Sequence, residues 1–147
     1  MVVVKQFPVD AGVDVIVLDS MIYLSSEVNA MGRANMPVVT AVSWDIDTET
    51  FGHVLVGVAS MYYVHSDKHF NFDNRLYERM DSVVPDPEVV IKMGGAAFGL
   101  HVHDGSATLR PITFRRRQPY LGDPIVVCPA DASAEVLGSS VLKVIRT

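Results

Sequence analysis

The sequence predicts a mainly β fold, a sandwich or barrel of about eight short strands with one or two short helical turns, and three observations carry that prediction. Runs of β-branched residues are short and recur along the chain, as in Val13-Asp14-Val15-Ile16-Val17-Leu18. Ten glycines and eight prolines punctuate those runs. Asp104-Gly105 stands between two alternating segments, the strongest short-range signal for a two-residue hairpin turn.

Length and composition set the frame. A chain of 147 residues fits one β-rich domain over 1–147 and buries enough surface to fold without a staple. Cys128 is the only cysteine, so no intramolecular disulfide can form, and an apolar, inert thiol is expected there. Seventeen Asp and Glu against twelve Lys and Arg give a net charge of −5, which argues against nucleic acid as a direct partner. The longest near-apolar run, Leu55 to Val64, is too short to span a bilayer, and the N-terminus lacks the layout of a secretory signal. Residence in a cytoplasm is the expectation. A hydrophobic content of 49% against 20% charged residues is high for a small core, which points to surface covered by other subunits.

Taken in order, Val2-Val3-Val4 and Val13 to Leu18 read as strands separated by Pro8 and Gly12. Residues 20–36 lose regular period and read as an irregular loop or arm. Pro37 to Ile46 alternates and is a strand with one buried face. Phe51 to His65 is apolar on both faces and reads as a central strand, bent at Gly57 because it exceeds the usual strand length. Residues 66–82 form a second polar loop, in which Asp73 or Asn74 caps a short helix through Met80. Val89 to Ile91 follows as a strand after Pro85-Asp86-Pro87. Pro119 and Pro124 bracket a turn, Ile125 to Cys128 is a strand, Asp131 to Leu137 is a helical turn ended by Gly138, and Val141 to Ile145 is the last strand.

Met93 to Arg117 gathers most of the candidate chemistry. With Asp104 and Gly105 as the turn, Val102 faces Ala107 and Leu100 faces Leu109 on an apolar side. His103 then faces Ser106, His101 faces Thr108 and Gly99 faces Arg110 on a polar one. His101 and His103 therefore share a strand face, near enough to share a metal. A His-x-His strand resembles the metal-binding strand of cupins, and the resemblance implies a metal-dependent enzyme or small-ligand binder. It covers His101 and His103 alone: no Glu follows within reach, no later His occurs, and Arg110 opposes a cation on that face. His53, His65 or His69 would have to complete a site. No metal and no cofactor is the expectation.

Arg115-Arg116-Arg117 is the only basic run. Alternate strand side chains point oppositely, so the run suits salt bridges to an acidic neighbouring subunit better than a flat nucleic-acid surface. Tyr62, Tyr63, Phe70, Phe72 and Tyr77 are candidate interface anchors. No nucleophile motif and no phosphate loop is present: Met93 to Gly99 lacks the Lys and the following helix that such a loop needs. The reading is of a non-enzymatic protein with protein partners.

In composition and layout the whole chain resembles the small head-decoration, or cement, proteins of tailed bacteriophages. That resemblance implies a virion structural protein on the capsid exterior that binds the major capsid protein, often as a trimeric homo-oligomer, after synthesis in the host cytoplasm. Val2-Val3-Val4 and Val141 to Ile145 would suit strands added to neighbours. Another tail or head-completion component is the remaining alternative of that kind.

Overall fold

The computed structural model describes residues 11–29, 33–65 and 87–147. Among these, seven strands form a curled antiparallel sheet and three helices accompany it, so the chain is mainly β as expected. The strands are β1 (Ala11–Leu18), β2 (Met21–Asn29), β3 (Arg33–Ser43), β4 (Ala96–His103), β5 (Ser106–Arg115), β6 (Gln118–Leu121) and β7 (Val126–Pro129). The helices are α1 (Thr48–His65), α2 (Pro87–Lys92) and α3 (Ala134–Ile145). The sheet runs in the order β3-β2-β1-β4-β5-β6, with β7 also paired to β5.

Three hairpins turn on two residues each, both with positive φ. They are Asp19 and Ser20 (51° and 64°), Asp104 and Gly105 (50° and 76°), and Arg116 and Arg117 (53° and 65°). This left-handed pair matches the twist of the strands it joins. The β4–β5 register is the one the sequence predicts, with His103 opposite Ser106, His101 opposite Thr108 and Gly99 opposite Arg110.

Val13, Val15, Ile22, Leu24, Leu100, Val102, Ala107 and Leu109 point to one side of the sheet and are buried beneath α1 and α3. From α1 come Phe51, Leu55, Val56 and Ala59, and from α3 come Leu137, Val141, Leu142 and Ile145. A smaller cluster of Ile16, Val90 and Ala97 seats α2 on the opposite face.

Several strand and loop expectations are overturned. Phe51 to His65 is helical: Phe51, Leu55 and Ala59 are four residues apart and buried with Gly52 and Val56, while His53 and Gly57 are exposed. That stripe has helical period. Asp47 starts the helix, its carboxylate accepting from the Thr50 amide at 3.0 Å and the Thr50 hydroxyl at 2.9 Å. Those two bonds hold its pKa below the ordinary carboxylate value. Val141 to Ile145 is likewise helix, because Leu137, Val141, Leu142 and Ile145 make one buried stripe against α1. Its N-cap is Ser133, whose hydroxyl accepts from the Val136 amide at 3.3 Å, and Gly138 lies within α3 rather than ending a turn.

Val89 to Ile91 belongs to α2. The irregular loop expected over 20–36 is largely β2 and the start of β3, with a register shift between Ser25 and Glu27. The strand at Val2-Val3-Val4, the loop at 66–82 and its helix from Asp73 or Asn74 lie outside the described residues.

The two packed helices touch through glycine. A Cβ added at Gly138 would stand 2.0 Å from the Thr48 carbonyl oxygen and 2.8 Å from the Gly52 nitrogen. One added at Gly52 would stand 1.7 Å from the Ala134 carbonyl oxygen. Thr48 and Gly52 on α1, with Ala134 and Gly138 on α3, thus let the backbones meet without intervening side chains. Arg146, at the end of α3, donates to the carbonyls of Trp44 and Ile46. These bonds tie α3 to the segment that leads into α1.

Candidate functional site

Pro119 and Pro124 were expected to bracket a turn before a strand at Ile125 to Cys128; that strand is present as β7, but Gln118 to Leu121 is also strand, so the chain returns along β5 as one interrupted strand. β6 pairs Leu121 with Ile112 and Gln118 with Arg115. After Gly122-Asp123-Pro124-Ile125 the pairing resumes two residues out of step, with Val126 opposite Leu109 and Pro129 opposite Ser106. The bulge is braced from behind. The Gly122 amide donates to the Pro111 carbonyl at 2.8 Å, the Ile125 amide to the Leu109 carbonyl at 2.9 Å, and the Arg110 guanidinium to the Gly122 carbonyl at 3.0 Å. Bulges of this kind mark sheet edges and re-aim side chains.

Among the described residues no strand pairs with the outer side of β6 or β7. This edge is unusually apolar: Tyr120, Leu121, Ile125 and Val127 are 51%, 47%, 43% and 64% exposed. Pro119, Pro124 and Pro129 interrupt its row of donors, which limits indiscriminate strand pairing. At its far end the Arg115 guanidinium lies 5.9 Å from the Tyr120 ring centroid, within reach of a cation–π attraction. Arg115, Arg116, Arg117 and Gln118 are all exposed. The turn pair Arg116-Arg117 occupies a region that costs a residue with a side chain about 1–2 kcal/mol. Neither arginine has the short polar group that lets Asn or Asp adopt it locally.

The polar face of the β4–β5 hairpin is built as predicted but closed by packing. A Cβ on Gly99 would stand 3.0 Å from Cε1 of His101 and 3.2 Å from Cδ2 of Leu121. The imidazole and the leucine therefore close over the glycine, and His101 is half-buried. His103 is exposed, with Nε2 3.1 Å from an Asp104 carboxylate oxygen. His53 lies on α1, 3.9 Å from Glu49, and His65 ends that helix. Among the described residues no three His, Cys, Asp or Glu side chains gather as metal ligands.

Cys128 on β7 is half-buried, and burial pushes its thiol pKa up, which disfavours the thiolate. Tyr62 and Tyr63 fall within α1, their side chains outside the described set. Phe70, Phe72 and Tyr77 lie outside the described residues. Of the interaction candidates, the structure brings Arg115, Arg116 and Arg117 together at one hairpin tip. The apolar edge beside them is the feature that reading the sequence missed. Three prolines within eleven residues, at 119, 124 and 129, were the available signal.

No family model matches the sequence, and no curated protein matches it. Solved structures do share the fold. A protein of unknown function from Neisseria meningitidis superposes with a TM-score of 0.65 at 14% identity, covering 92% of this chain and 93% of that one. A chain from a CdiA-CT/CdiI toxin and immunity complex from Yersinia pseudotuberculosis superposes with a TM-score of 0.64 at 15% identity, covering 93% and 95%. These likenesses replace the expected kinship with phage cement proteins. The capsid partner, the virion role and the trimer expected with it have no support. One neighbour is itself part of a protein–protein complex, in keeping with the expectation of protein partners. No helix among the described residues is long and apolar enough to cross a membrane.

Proposed function

We propose that this chain binds and masks a toxin domain, as the immunity partner of a toxin–immunity pair. The observation that carries the protein-binding role is the β6–β7 edge, where four large apolar side chains stand exposed beside backbone that no other strand among the described residues pairs. Likeness in fold to a chain of a toxin and immunity complex supports the class of partner. The masking role is favoured over the toxic one by two features. The charge of −5 is unsuited to gripping a polyanionic substrate. Cys128, the only cysteine in the sequence, has a thiol that burial holds toward its neutral form.

Co-expression tests the reading. A panel of CdiA-CT-type toxin domains is expressed in a bacterial host with and without this chain. Growth is expected to be restored for at least one of them, with a stable complex of chain and toxin domain recovered from the rescued cells. Growth arrest by this chain alone, or failure to bind any domain of the panel, would overturn it.

A further inference from the structure

We infer that the Arg115–Gln118 hairpin tip is a docking finger for a carboxylate-rich concavity on a partner protein. The inference names the chemistry of the partner's surface and rests on the protein-binding reading above. Arg116 and Arg117 sit at φ 53° and 65°, where Gly, Asn or Asp is the favoured occupant of a two-residue hairpin turn. The other two such turns among the described residues, Asp19-Ser20 and Asp104-Gly105, each carry at least one favoured residue, whereas the Arg116-Arg117 turn carries none.

Nothing within the described fold asks for arginine here. Both side chains are exposed, and among the described residues neither makes an ion pair. Strain held at an exposed tip with no local compensation points to selection by something outside the chain. The third arginine extends the same surface, since Arg115 lies against Tyr120 beside the turn. In a chain of net charge −5, this cationic tip is where an acidic surface can approach against little repulsion. Guanidinium forks match carboxylates in pairs. The exposed Tyr120 and Leu121 beside the tip give the finger an apolar flank suited to a protein groove.

The test separates the fold's demand from the partner's. Arg116→Asn with Arg117→Gly installs the pair that the turn prefers and removes two charges. It is compared with the wild type in thermal melts and in binding to a fluorescein-labelled ten-glutamate peptide, a single-stranded RNA and the toxin domain bound in co-expression. The variant is expected to melt about 3 °C higher while losing at least about tenfold in affinity for both peptide and toxin domain. Wild-type peptide binding should weaken as salt rises.

Equal affinity of the variant and wild type for the toxin domain would overturn the inference and leave the immunity reading standing. So would wild-type binding of the RNA in preference to the peptide, or no wild-type binding of the peptide. Arginine-dependent peptide binding with no toxin domain bound would support the acidic-surface inference and sink the immunity reading.

Discussion

Gly138→Ala is expected to destabilise the protein by about 3 kcal/mol, although alanine is the better helix former by about 1 kcal/mol. The added Cβ would stand 2.0 Å from the Thr48 carbonyl oxygen, a backbone atom that α1 cannot move without shifting as a whole. Parting the two helices would loosen the contacts of Phe51 and Leu55 with Leu137, Val141 and Leu142, the buried layer over the sheet. Gly57 supplies the control. It lies in the same α1, exposed, and a Cβ there meets nothing within 4 Å. Gly57→Ala should therefore stabilise by up to about 1 kcal/mol. Denaturant unfolding of the two variants should give shifts of opposite sign. Two stabilising shifts would show that the glycine contact between α1 and α3 is not as described.

Placing charge on the open edge should weaken partner binding sharply without harming the fold. Tyr120→Asp with Val127→Asp alters two side chains that are 51% and 64% exposed, so melting should move little. In a complex, these residues would be desolvated near the centre of the buried patch, where a few apolar anchors dominate affinity. The loss expected against a toxin domain neutralised by the wild type is about 100-fold, or about 2.7 kcal/mol. Titration calorimetry on folded variant protein measures it. An affinity within about threefold of wild type would place the contact elsewhere on the chain.

The parts of the fold that were legible in the sequence are those where local chemistry leaves one choice. Asp104-Gly105 favours one turn, and the alternation around it then sets which side of β4 and β5 faces the core, down to the pairing of His101 with Thr108. Val13 to Leu18 is rich enough in β-branched residues to read as a strand.

The helices were not legible in the same way. Val54, Val56 and Val58 alternate like a strand, while the pattern that decides, Phe51-Leu55-Ala59 with Gly52-Val56, becomes evident only when α3 is there to receive it. Gly138 reads as the end of a helical turn in isolation, yet its small size, with that of Gly52, is what the helix contact uses. The β2 strand was obscured by the polar Ser25, Ser26 and Asn29 and by its register shift.

The candidate site was half legible. The arginine run stood out by composition, but a turn made of Arg116 and Arg117 lacks every residue that announces a hairpin. Without that turn, the returning edge of Tyr120, Leu121, Ile125 and Val127 could not be placed. The phage likeness rested on composition and layout, which many small β-rich proteins share, and the solved neighbours do not bear it out.

The central claim is that this chain meets its partner along the edge from the arginine tip through β7. Amide hydrogen exchange of the chain, alone and bound to a toxin domain that it neutralises, tests this most directly. Binding should slow exchange over residues 115–128 and leave the buried layer between α1 and α3 unchanged. Unaltered exchange over 115–128, with new protection on another part of the surface, would contradict the account.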